Sequence, residues 1–207
     1  MDHAASDRFA TYELQLHETN HRCSNDLQMV VSLLSIQTRR AKAEDVRIAL
    51  SDATARVQVL AKARSDLIRM REPNLVTVLR EALEALCCLA EPRGILIAHT
   101  IEGDVDGLAE NKIVPVVMAV NELVTNAIKH AFADDRPGTI EVSVRAKDDD
   151  TISITVDDDG LPLSGPCSSH ENGMGTSLVR RLVASIGGSV VFPIKQSKRF
   201  EIRIPTN

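Results

Sequence analysis

The chain has no tryptophan, one tyrosine and only four phenylalanines, so stacking of nucleic-acid bases on aromatic rings is excluded as a main activity. It also lacks any surplus of positive charge. With 24 Lys and Arg against 29 Asp and Glu, the net charge is −5, which disfavours a nucleic-acid partner. Long apolar runs are missing too. The longest, Ile113 to Val120, contains Pro115 and is far short of the ~20 residues that span a bilayer. The polar, acidic start MDHAASDRFA is unlike a secretory signal. Cys23, Cys87, Cys88 and Cys167 show no Cys-x-x-Cys spacing, so neither a zinc site nor a disulfide frame is expected. Reduced thiols are then the default, and a cytoplasmic protein with no membrane insertion is the expectation. No internal repeat or low-complexity segment is visible.

What is present begins with 207 residues, 43% of them apolar, enough for one large or two small domains. A division is expected near Glu72 and Pro73, because the residue before a proline is pushed out of helix geometry. Residues 1–72 carry 11 basic and 10 acidic side chains, and residues 73–207 carry 13 and 19. In the first part, Leu27, Val30, Val31, Leu34 and Ala41 form a helical stripe. Val46, Leu50, Ala53, Val57, Leu60 and Leu67 form another, with the near-3.5 period of a bundle seam. Two helices joined near Lys42 to Asp45 cannot bury both apolar faces as one hairpin. Pairing of two copies into a homodimeric four-helix bundle is the expected solution.

After Pro73 the pattern changes. A helix is expected from Leu75 to Ala90, closed by Pro92 and Gly94, then a strand over Ile95 to Ile101. Alternation in Thr139 to Val144 and Thr151 to Val156 around a charged turn predicts a hairpin. Leu161 to Asn172 reads as a flexible loop. A helix over Thr176 to Ile186 ends at Gly187 and Gly188, and strands near Ser189 to Pro193 and Arg199 to Ile204 follow. This order of elements predicts an α+β chain whose second part is an α/β sandwich: a mostly antiparallel sheet with helices on one face.

The most informative stretch is Asn121 to Phe132, NELVTNAIKHAF. On a helix Glu122, Asn126, Lys129 and His130 project to one side, while Leu123, Val124, Ala127, Ile128 and Ala131 take the others. A carboxylate, an amide oxygen and a cation together suit a hydrated magnesium ion and a polyphosphate, although a solvated polar face is the ordinary alternative. Two glycine boxes follow. In VDDDGLPL, Asp158 at a strand end can accept a hydrogen bond from an exocyclic amine such as that of adenine, and Gly160 has no Cβ to block a base. In NGMGTSL, Gly173 and Gly175 precede an apolar helical run and can bring free N–H groups to phosphate oxygens.

The order helix with Glu and Asn, Asp-x-Gly, Gly-x-Gly resembles the ATP-binding (Bergerat) fold of histidine kinases, gyrase-type ATPases, Hsp90 and MutL. Upstream, HRCSNDLQ from His21 followed by MVVSLLSIQ resembles the phosphoacceptor box of the His-Arg-x-x-Asn histidine kinases, close to the HWE group. The tryptophan that names the HWE group is absent, which places the chain in the sister subgroup. The resemblance runs from about Glu13 to Pro205.

That resemblance implies a histidine kinase with a dimerisation and phosphotransfer hairpin at 1–72 and a catalytic ATP-binding domain at 73–207. Asn126 then coordinates Mg2+, Asp158 reads adenine, Lys129 and His130 face the phosphates, and Glu122 matches the carboxylate that acts as base in related ATPases. His21 takes the γ-phosphoryl group of ATP, because a neutral imidazole is nucleophilic near neutral pH. Asn25, one turn on, orients it. The phosphoryl group passes to an aspartate of a response-regulator receiver domain, and any signal is expected from an upstream sensor protein or through the bundle. Two alternatives stay open. One is a histidine phosphotransferase with a degenerate ATP site, since Pro162 stands where the family commonly has a third box residue, glycine. The other is an anti-sigma-type serine kinase, against which the HRCSN segment argues.

Overall fold

The computed structural model describes residues 3–70, 74–103, 105, 107–132, 136–148, 150–161, 174–193 and 197–206, with the side chains of 3–21, 148 and 174 outside the description. The chain folds as two compact units, Met1–Pro73 and Asn74–Asn207.

The first unit is a helical hairpin of α1 (His3–Arg40) and α2 (Glu44–Arg69). Glu44 and Asp45 open α2 and Arg39 and Arg40 close α1, each matching the sign that the helix dipole favours. The two helices pack against each other. Yet among the described residues only small or polar side chains of the hairpin are buried, namely Ser24, Thr54, Ala61, Ala63 and Asp66. Leu27, Val31, Leu34, Leu50, Val57, Leu60 and Leu67 are half-buried, while Met29, Val30, Leu33, Ile36, Val46 and Ile48 are exposed. Asp66 holds its place through Lys62 Nζ at 3.1 Å and Arg69 Nη2 at 2.6 Å.

In the second unit Asn74 caps α3 (Leu75–Ala90), its side chain accepting a hydrogen bond from Thr77 N, which satisfies one otherwise orphan donor. Leu75, Val78, Leu79, Leu83, Leu86 and Ala90 recur at spacings of three and four and are all buried. A 3-10 turn, Glu91–Arg93, ends at Gly94, whose φ of 69° is the left-handed conformation that glycine adopts without penalty. Strand β1 (Ile95–Glu102) follows, then α4 (Glu110–His130), β2 (Gly138–Asp148), β3 (Thr151–Asp158), α5 (Met174–Ser185), β4 (Ser189–Val191) and β5 (Phe200–Pro205).

The sheet order is β1-β2-β3-β5-β4, parallel between β1 and β2 and antiparallel elsewhere. Alternation decides its two faces. Ile140, Val142, Val144, Ile152, Ile154, Val156, Ile202 and Ile204 are buried, and α3 and α4 pack against the sheet. The opposite face is polar: Ser143 Oγ and Thr155 Oγ1 lie 2.6 Å apart, and Glu201 bonds Ser153 and Arg203. Helices on one face and a mostly antiparallel sheet are thus the architecture that the sequence pattern predicts.

Two helix starts bear on the site, and the second differs from the sequence reading. Helix α4 starts at Glu110, well before Asn121, and contains Pro115. A proline there forfeits one backbone hydrogen bond, but Ile113, Val116, Val117 and Val120 are all fully buried, and their packing outweighs it. Helix α5 starts at Met174 rather than Thr176, so Gly175 lies inside its first turn and not ahead of it.

Candidate functional site

Helix α4 carries the polar stripe at graded depth. Glu122 is 4% exposed, Asn126 one turn later is half-buried, and Lys129 and His130 in the last turn are exposed. Burying the remaining faces explains why this is possible: Leu123, Val124, Ala127 and Ile128 are in the core and fix the helix rotation. Glu122 therefore enters the interior from the rim of the stripe rather than pointing to open solvent.

The end of β3 meets the end of α4. Gly160 N donates to Asp158 Oδ1 at 3.0 Å, a local turn that aspartate makes with its own backbone two residues on. Leu161 N donates to Ala131 O at 2.7 Å, and Thr139 N to Asp159 Oδ1 at 2.7 Å. Gly160 lies so close to α4 that a Cβ there would sit 2.8 Å from the carbonyl carbon of Ala131. Glycine is needed at this position because two backbones touch. From the other side Arg93 grips the same helix end, donating to Phe132 O at 2.9 Å and to Ile128 O.

Gly175 brings the third element to the same place. A Cβ on it would lie 2.5 Å from Glu122 Oε1 and 2.8 Å from Asn126 Nδ2, so the missing side chain lets the backbone of α5 come directly against the two polar groups of α4. Being in the first turn of α5, its backbone N–H has no partner within the helix and is of the kind that binds anions. Asn126, Glu122 and the open first turn of α5 are thus neighbours. Gly173, Pro162 and most of the segment Leu161 to Asn172 lie outside the described residues.

Lys198 is a neighbour of Asp158 that the sequence reading did not single out. Its Nζ is 3.1 Å from Asp158 Oδ1 and also donates to Gly160 O, and the two side chains are 11% and 9% exposed. Nothing in the segment KQSKRF distinguishes it from an ordinary surface charge. Only the pairing of β5 with β3, which opposes Phe200 to Val156, brings the preceding residues next to Asp158.

In the hairpin unit His21 lies on α1, and its side chain is outside the described residues. Asn25, one turn on, is exposed. Beside it Cys23 Sγ accepts a hydrogen bond from Arg64 Nη1 at 2.9 Å, tying α2 to α1 at this level, and Ser24 Oγ is buried with no partner among the described residues.

A five-stranded mixed sheet covered on one face by helices, with an Asn-bearing helix, an Asp-x-Gly turn and a glycine-opened helix meeting at one end, defines an ATP-binding domain of the kinase, gyrase and Hsp90 kind. The comparisons with known proteins agree. Residues 111–207 match the family of histidine kinase-, DNA gyrase B- and HSP90-like ATPases, and residues 18–89 match a histidine kinase family. The chain is 33% identical over 181 residues to the sensor histidine kinase PdtaS of Mycobacterium tuberculosis, across 84% of this chain and 36% of that protein. It is 25% identical over 189 residues to blue-light-activated histidine kinase 2 of Erythrobacter litoralis, across 89% of this chain and 54% of the relative. A solved blue-light activated histidine kinase of Erythrobacter litoralis shares the fold with a TM-score of 0.70 at 21% identity, over 90% of this chain and 60% of that one. The chain belongs to the histidine kinase family, close to the HWE kinases, and carries its ATP-binding domain. It spans between about a third and about half of the length of these curated relatives. Among the described residues no helix is long and apolar enough to cross a membrane.

Proposed function

We propose that this chain autophosphorylates on His21 from Mg-ATP and passes the phosphoryl group to an aspartate of a response-regulator receiver domain, acting in the cytoplasm as a homodimer. The observation that carries this reading is the approach of Gly175 to Glu122 and Asn126, because it brings two sequence boxes more than forty residues apart together. The donor set suits the expected ligands. The Asn126 amide oxygen is a hard ligand for magnesium, Lys129 and His130 offer positive charge at the helix end, and the first turn of α5 offers N–H groups to phosphate oxygens. Magnesium, when bound, neutralises charge on the polyphosphate.

The residues then have separate tasks. Asp158 accepts a hydrogen bond from the exocyclic amine of adenine and fixes the base. The neutral His21 imidazole attacks the γ-phosphorus with one ring nitrogen, the bond from that phosphorus to the β,γ-bridging oxygen breaks, and ADP leaves. Glu122 polarises the nucleophile, while Asn25 holds the ring. Positioning and charge neutralisation carry most of the rate, as in other phosphoryl transfers. The exposed apolar residues Met29, Leu33 and Ile36 of α1 follow a four-three spacing, which supports a second copy covering this face.

The test is incubation of the purified chain with γ-labelled ATP and magnesium. Acid-labile label that is lost in both His21→Ala and Asn126→Ala is the expected result. A wild type that stays unlabelled with ATP yet accepts phosphate on His21 from a phosphorylated receiver domain would show a relay and not a kinase.

A further inference from the structure

Asp158 is not alone at the base-reading position. Two donors, Gly160 N at 3.0 Å and Lys198 Nζ at 3.1 Å, converge on its Oδ1, and among the described residues no hydrogen bond engages Oδ2. Lys198 also donates to Gly160 O. An ammonium group has three N–H donors, and these contacts use two. Among the described residues one donor on Lys198 and one acceptor on Asp158 therefore remain side by side, in a pair that is about nine-tenths buried.

We infer that Lys198 and Asp158 together read the adenine edge, Asp158 accepting from the 6-amino group and Lys198 donating to ring nitrogen N1. Adenine presents a donor and an acceptor at adjacent positions on that edge, and an oxygen beside an ammonium hydrogen is the complement. Guanine and hypoxanthine present the reverse order, a 6-oxo acceptor beside an N1–H donor, and would set oxygen against oxygen and hydrogen against hydrogen. Lys198 is in this sense a specificity-determining residue, held in place before nucleotide arrives by Asp158 and the Gly160 carbonyl. Low exposure makes the contact selective, since water competes poorly there.

The inference rests on the proposal that Asp158 binds the base, and the experiment separates the two. Calorimetry on the full chain with magnesium would compare ADP, 1-deaza-ADP, in which C–H replaces N1, and the diphosphate of purine riboside, which lacks the amine. Wild type is expected to bind ADP on the order of tenfold more tightly than 1-deaza-ADP, the worth of one hydrogen bond from a charged donor. In Lys198→Met, the two should bind alike. Equal binding of ADP and 1-deaza-ADP by wild type overturns the role of Lys198 without needing any variant to fold. So does a Lys198→Met protein that binds ADP more tightly than wild type, which would make the lysine a plug. If wild type does not distinguish ADP from the purine riboside diphosphate, it is Asp158 that leaves the site, and the inference goes with it.

Discussion

Gly175 and Glu122, far apart in sequence, are so close that a Cβ on the glycine would lie 2.5 Å from the carboxylate oxygen Oε1. The side chains in the way at Gly175 are the far ends of Glu122 and Asn126, which can move. At Gly160 it is the backbone of Ala131, which cannot. Alanine at the two positions should therefore fail differently. Gly175→Ala is expected to keep its melting temperature and lose most nucleotide affinity, whereas Gly160→Ala should cost roughly 1–3 kcal/mol of stability through overpacking. Thermal melts and calorimetry on both variants check this; equal destabilisation of the two would count against the argument.

Removal of the amide at position 126 should be read through magnesium. Wild type is expected to bind ATP on the order of tenfold more weakly when the metal is chelated, and Asn126→Ala should bind equally with and without it. A variant whose affinity still rises with magnesium would take Asn126 out of the metal site.

Much of this arrangement is legible in the sequence. The hairpin is readable from two apolar helical stripes, the second with a near-3.5 period, and the sheet because Ile140, Val142 and Val144 alternate with polar neighbours. The polar stripe on α4 and the order of the glycine boxes point to the nucleotide site. Other features have no local signature. Lys198 looks like any charged loop residue and acquires its role only through strand pairing. Arg93, which binds the carbonyls of Ile128 and Phe132, sits beside a proline and a glycine that read merely as a turn. Pro115 looks like a helix breaker, and what overrules it is burial, a property of the packed unit and not of the segment.

Dimerisation can be tested on side chains that one hairpin leaves uncovered. Leu33 is 56% and Ile36 38% exposed in the single chain, so glutamates there should disturb the isolated hairpin little. Within a dimer seam they would place unpaired charges in a desolvated setting, at a cost of several kcal/mol. Light scattering should report a wild-type dimer at micromolar concentration and a monomeric Leu33→Glu, Ile36→Glu double variant. A monomeric wild type would defeat the proposal.

The polar face of the sheet makes a prediction about acid. Glu201 is held well below the usual carboxylate range, from 4.5 to about 2, chiefly by the hydrogen bond from Arg203, with burial opposing and Ser153 assisting. Its folded form thus binds a proton less readily than the unfolded chain does. Its contribution to stability is complete above about 4.5 and is lost as the pH falls towards about 2. Between pH 6 and pH 3 the melting temperature of wild type should fall further than that of Glu201→Gln. Parallel losses would show that the Arg203 contact is idle.

Strand β5 lies between β3 and β4 although it follows both in the chain, so this sheet cannot be assembled in the order of synthesis. As the polypeptide emerges, β3 has a free edge until residues 200–205 arrive, and Asp158 waits for Lys198 just ahead of them. A ribosome paused before that point would hold a chain with the helices made and the sheet unfinished. Competence to bind nucleotide should therefore appear abruptly once residues 198–205 have left the ribosome, making ATP a reporter of the folding of this unit.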